Sequence, residues 1–388
     1  MRSCEVCGSN SFEHLHTQKF FIAGEDQPFQ YTVATCNDCG FIFAFDVPSQ
    51  EQYERYYNLN TKYTYNQGDV PDGLKKLHHD SFRLIENFLK KNTPQIKYDA
   101  LKIIDIGCST GYLLQIFKEH EYRNILGLEP SLECCEIAND RYGIRVISQT
   151  LSQYRTDDTY DLILMSGVLE HIHDLSDNLS RVSTLLGENG FLFVMVPDAE
   201  HFSSNPREPF HEFSLEHINF FTQTSLSNLL GKYGLVKEYA ESIEVRFYDS
   251  HALATIWKKA DGQVTVQKDI SGILKIKQYI KVSEEALKVL KGKIAELVKT
   301  QEEVAIWGVG SLTSRLLSNT NLEKANIKFF VDRNKGLQGR KMMGVEIVSP
   351  EMLFGKDLTV FISSYVYRDE IKKILKEDLH YKGRIVLP

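Results

Sequence analysis

Several things are scarce in this chain of 388 residues. No apolar run approaches the roughly 20 residues that cross a bilayer, so no membrane partner is expected. No long run of lysine and arginine occurs, and the net charge is −7 with histidine neutral. Nucleic acid and anionic membrane surfaces are therefore poor partners. Met1-Arg2-Ser3-Cys4 has no signal peptide behind it, and the expected compartment is the cytoplasm. Thiols stay reduced there, so the cysteines suit metal better than disulfides. The length excludes one ordinary core and predicts two or three domains.

Two common nucleotide fingerprints are also missing. An apolar run at 103–106 carries Asp105 and enters Gly107-Cys108-Ser109-Thr110-Gly111, followed by a helical pattern from Tyr112 to Phe117. This strand, turn and helix open a nucleotide-binding α/β unit. The turn is G-x-x-x-G rather than G-x-G-x-x-G, and it lacks a P-loop lysine. It suits a cofactor without a pyrophosphate. A second strand at 124–128 ends in Glu129, placed to bind both ribose hydroxyls. Together these residues resemble class I methyltransferases that use S-adenosylmethionine. The resemblance implies cofactor contacts from Asp105, Gly107, Ser109, Gly111 and Glu129. Ser166, closing an apolar strand at 160–166, is a further cofactor candidate. Gln149, after a strand at 144–147, offers an amide to adenine. Further alternation predicts a helix at 131–141 and a strand at 191–196. Leu169-Glu170-His171 lies at the ligand edge and reads as shaping the cofactor pocket.

Four cysteines precede this unit. Cys4-x-x-Cys7 and Cys36-x-x-Cys39 form matched knuckles, followed by Gly8 and Gly40. Two residues between thiols let both sulfurs reach one tetrahedral ion, and four thiolates leave no open position. One structural zinc is expected, on a ribbon whose hairpin pairs 20–22 with 30–35. Cys108, Cys134 and Cys135 read as packing residues.

A tyrosine-rich segment (Tyr53, Tyr56, Tyr57, Tyr63, Tyr65) follows the knuckles. It reads equally as a packed linker or as a sugar-lining loop. Residues 80–92 have helical periodicity. Beyond the 191–196 strand, Phe210 to Phe221 crowds His, Glu and aromatics together before a helix at Thr224. Glu216 and His217 suit acid–base work there, as a polarising carboxylate and an imidazole near neutral pKa. Helical periodicity then runs over 269–299. Val304 to Ser311, 327–332 and 358–362 restart the strand–turn–helix alternation as a second, smaller Rossmann-like domain.

The order is knuckles, methyltransferase core, Glu-His loop, then Trp307-Gly308-Val309-Gly310 with Val331-Asp332-Arg333-Asn334. It resembles the sugar C-methyltransferases that act on nucleotide-linked deoxyketosugars. The resemblance implies His217 as general base beside Glu216, with Tyr63 and Tyr65 contacting substrate. Ser214 stands where that family has a tyrosine, and the C-terminal turn lacks its lysine. The expected fold is α/β. A zinc ribbon with the tyrosine segment takes 1–70, and the S-adenosylmethionine core takes 71–262, with its substrate loop at about 198–222. A helical connector fills 263–301 and a Rossmann-like domain 302–388. Sugar or amino-sugar O- or N-methylation, RNA methylation and a non-catalytic scaffold are the competing readings.

Overall fold

A computed structural model describes residues 2–21, 28–47, 68–95, 97–204, 208–260 and 265–388. The expected tyrosine contacts, Tyr63 and Tyr65, lie outside the described residues, as do Tyr53, Tyr56 and Tyr57. At the front, β1 (Phe12–Phe20) pairs antiparallel with β2 (Phe29–Cys36), which pairs with β3 (Ile42–Ala44). The hairpin expected to begin at Phe20 instead ends its first strand there. β1 is an edge strand whose Glu13, His14, Thr17 and Lys19 face water, so little apolar alternation marked it.

The middle of the chain starts with α1 (Asp72–Asn92), eight residues before the expected helix. Polar residues of its first turns, Lys75, Lys76, His78 and His79, masked the beginning. Then follow β4 (Lys102–Ile106), α2 (Tyr112–Glu119), β5 (Asn124–Leu128), α3 (Leu132–Tyr142), β6 (Val146–Ile147) and β7 (Tyr160–Ser166). Next come α4 (Leu175–Leu185), β8 (Leu186–Pro197), β9 (Asn219–Phe220), α5 (Gln223–Gly231), β10 (Leu235–Val245) and β11 (Ser250–Lys259). One sheet runs β10-β11-β8-β7-β4-β5-β6. Its strands from β8 to β6 are parallel, and β11 is antiparallel to both of its neighbours. The adjacent residues Ile103 and Ile104 serve opposite faces. Ile103 joins the core of Phe82 and Phe117, and Ile104 joins that of Leu179 and Val182. This is a Rossmann-like core, with its ligand edge at the carboxyl ends of β4, β5 and β7.

β9 does not join that sheet. It pairs with β3, Ile42 opposite Phe220, and completes a four-stranded sheet with the cysteine hairpin. The chain continues through α6 (Ile270–Thr300), capped by the Asp269 side chain, into a six-stranded sheet. That sheet carries β12 (Val304–Trp307) at its centre and α7 (Ser311–Asn319) after it, with β13 (Ile327–Val331) and three further parallel strands. Among the described residues no helix is long and apolar enough to cross a membrane.

Candidate active site

The glycine turn is held from the neighbouring strand. Gly107 and Gly111 adopt φ of 73° and 77°, and Ser109 between them has φ of 51°. The Gly107 N–H donates to the Leu128 carbonyl at 2.7 Å. Glu129 then accepts from the Ser109 N–H at 3.0 Å and from the Ser131 N–H at 2.9 Å. Burial pushes the carboxyl of Glu129 up. Asp105 is raised well above its ordinary value by burial, with the Glu129 charge adding. A hydroxyl-rich or cationic ligand would relieve both acids. Ser166 sits half-buried at the end of β7, and Gln149 lies exposed just past β6. The sheet thus brings the seven expected cofactor residues to one edge, from four strand ends.

A second turn borders the first. A Cβ built on Gly107 would lie 2.7 Å from Val168 Cγ2. Two residues on, Glu170 is only 3% exposed. Burial pushes its carboxyl up to about 8, and the charges of Glu212 and Glu216 add to that. Against this turn lies the Glu-His loop. The Ile218 N–H donates to the Glu170 carbonyl at 2.8 Å, and the Ala44 N–H of β3 donates to the Ile218 carbonyl at 2.8 Å. The Asn219 amide donates to the carbonyls of Leu169 and Ile172, both at 2.8 Å, while Arg2 donates to its oxygen at 2.7 Å. Ser214 Oγ accepts from the N–H groups of Glu216 and His217 at 3.3 and 3.2 Å. The half-buried His217 ring meets His171 edge-on, with centroids 5.0 Å apart. His171 Nδ1 lies 3.0 Å from the Glu216 carbonyl. The Glu216 side chain is buried. Sequence reasoning gave Glu170 and His171 to the cofactor alone, but they also touch the His217 loop.

The same loop walls a cleft lined by His201, Glu208, His211, Glu212, Tyr279 and Tyr365. His201, Glu208, His211 and Glu212 belong to the expected substrate loop, whereas Tyr279 and Tyr365 stand far off in the chain and carried no sequence signal. Arg315 of α7, 1% exposed, donates to the carbonyls of Pro209, Phe210 and Phe213 and reaches Glu208 at 3.3 Å.

In the front sheet, Cys4 and Cys39 sulfurs are 3.5 Å apart, as are those of Cys7 and Cys36. All four lie within 4.8 Å of one another. The knuckles match in detail: Gly8 N–H donates to the Cys4 carbonyl, Gly40 N–H to the Cys36 carbonyl, and both glycines have positive φ. Zinc–sulfur bonds of about 2.3 Å put tetrahedral sulfurs roughly 3.8 Å apart, so the cluster is compatible with zinc.

Residues 75–240 match the methyltransferase domain family, and 300–386 match a family described as C2185-like, N-terminal. The C-methyltransferase NovU of Streptomyces niveus is 25% identical over 314 residues, covering 75% of this chain and 72% of its own length. A probable (S)-tetrahydroprotoberberine N-methyltransferase of Papaver bracteatum is 35% identical over 108 residues, covering 26% of this chain and 30% of that protein. The ubiquinone biosynthesis O-methyltransferase of Rhodopseudomonas palustris is 26% identical over 100 residues, covering 24% and 39%. The likeness holds across proteins named for methylating carbon, nitrogen and oxygen, and the methyltransferase domain match contains the glycine turn and Glu129. The chain is an S-adenosylmethionine-dependent methyltransferase.

Proposed function

We propose that this enzyme is a C-methyltransferase whose acceptor is a nucleotide-linked deoxyketosugar. One observation carries the reading: the His217 imidazole packs on the turn that borders the glycine turn. The NovU likeness, spread over most of the chain, supports carbon as the acceptor.

When bound, S-adenosylmethionine supplies an electrophilic methyl group. Asp105, Gly107, Ser109, Gly111, Glu129, Gln149 and Ser166 would hold it, with Glu129 the candidate for the ribose hydroxyls and Gln149 for adenine. A ketone acidifies the neighbouring C–H of the sugar. His217 takes that proton, Glu216 polarises the site, and Tyr63 or Tyr65 steadies the enolate oxygen. Cys4, Cys7, Cys36 and Cys39 would hold one zinc with four thiolates, a set that leaves no open position and would make that ion structural. Its sheet carries β9, two residues past His217, and so fixes the base.

The N- and O-methyltransferase likenesses over the core favour a second reading, methylation of a sugar amine or hydroxyl. Deuterium exchange separates the two. In heavy water with S-adenosylhomocysteine present, the carbon reading predicts enzyme-dependent exchange next to the ketone. His217→Ala should lose about 10²-fold or more of that rate while keeping cofactor affinity in calorimetry. Undiminished exchange in the variant would remove His217 from the role. Absence of exchange with every ketosugar would favour nitrogen or oxygen.

A further inference from the structure

Glu170, His171 and His217 each bring one ligand atom to a common point, all three within 4.8 Å of one another. Glu170 Oε1 and His171 Nε2 are 3.8 Å apart. The histidine is set for coordination. Its Nδ1 faces the Glu216 carbonyl, which can only accept, so Nδ1 carries the hydrogen and Nε2 the lone pair. A backbone carbonyl behind an imidazole is the usual way a metal-binding histidine is oriented. The carboxylate is set as well. Glu170 is nearly fully buried, and its Oε2 has no hydrogen-bond partner among the described residues. A buried acid oxygen left so is costly unless a cation or donor meets it. The third ligand is held by its loop, through Ser214 on one side and Ile218 and Asn219 on the other.

We propose that Glu170, His171 and His217 form a second metal site, distinct from the four cysteines, for a late first-row divalent ion such as zinc or cobalt(II). Two imidazoles and a carboxylate are the donor set those ions take, whereas magnesium and calcium ask for oxygens. Bonds of about 2.1 Å need ligand atoms roughly 3.4 Å apart, so the Glu170–His171 pair closes by only about half an ångström. Three protein ligands leave one position open. Resting on the proposed function, the consequence is inhibition: an ion there occupies the lone pair with which His217 takes the substrate proton.

The test uses the full chain as isolated, dialysed against cobalt(II), with total bound zinc and cobalt then counted. The wild type should hold about one metal ion more per chain than Glu170→Gln or His171→Gln, each checked for unchanged circular dichroism. The difference spectrum should show weak d–d bands without the intense charge-transfer band of cobalt thiolate. Equal metal content in wild type and both variants overturns the site, as does a thiolate band in the difference spectrum. No substrate enters this count, so its outcome is independent of the acceptor. In a separate arm, cobalt should slow the exchange reaction and a chelator should restore it. Metal bound through these residues without slowing exchange would leave the site standing and remove His217 as the base.

Discussion

Gly107 shows what single residues decide here. Its φ of 73° costs an ordinary residue roughly 1–2 kcal/mol, and an added methyl would press on Val168 Cγ2. Gly107→Ala should therefore lower stability by about 2 kcal/mol or more in urea unfolding and weaken S-adenosylmethionine at least about 10-fold in calorimetry. Wild-type values in both would show that the turn tolerates a side chain. This residue, with Asp105, Gly111, Glu129 and the four cysteines, was legible because spacing along the chain alone fixes its geometry. Ser214 was not. It read as a missing tyrosine, yet its hydroxyl takes the N–H groups of the two residues proposed for catalysis. That duty depends on the backbone path, which no spacing rule gives.

Among the elements, the strength of the apolar pattern, rather than burial alone, decided what was readable. β7 is nearly continuous apolar sequence and falls where its pattern puts it. β10 and β11 drew no strand expectation: β10 is an edge strand with most of its residues at least partly exposed, and β11, though buried at its middle, carries alanines, which are poor strand formers. The segment between β8 and α5 carries a pH-dependent contact. Burial alone would lower the His211 pKa, but the Glu208 carboxylate, 3.7 Å from its Nδ1, outweighs it and raises the group to about 8. A raised imidazole stabilises the fold fully below its unfolded value of about 6.5, and that gain is lost as pH rises through about 8. With 34% of the side chain in solvent, the contribution is about 1 kcal/mol. The stability gap between wild type and His211→Gln should be present at pH 6 and shrink toward zero at pH 9. A gap of constant size would mean that the ring acts by packing alone.

At the scale of the molecule, three sheets converge on one loop. β9 ties it to the cysteine sheet, Ile218 and Asn219 tie it to the methyltransferase core, and Arg315 reaches it from α7, which follows the central strand of the C-terminal sheet. The order of these units was visible in the sequence. Their convergence was not, since Arg2 and Asn219 stand 217 positions apart and Arg315 and Phe213 stand 102 apart. Such an arrangement places the His217 imidazole beside the ligand edge of the core sheet with partners from the whole chain, which suits the proposed reaction, one that needs carbon made nucleophilic. The most direct measurement is the position of a labelled methyl group after incubating the enzyme with methyl-labelled S-adenosylmethionine and a panel of nucleotide-linked deoxyketosugars. The account predicts label on the carbon next to the ketone, by mass spectrometry and carbon NMR. Label on an oxygen or nitrogen, or on none of the panel, would contradict it.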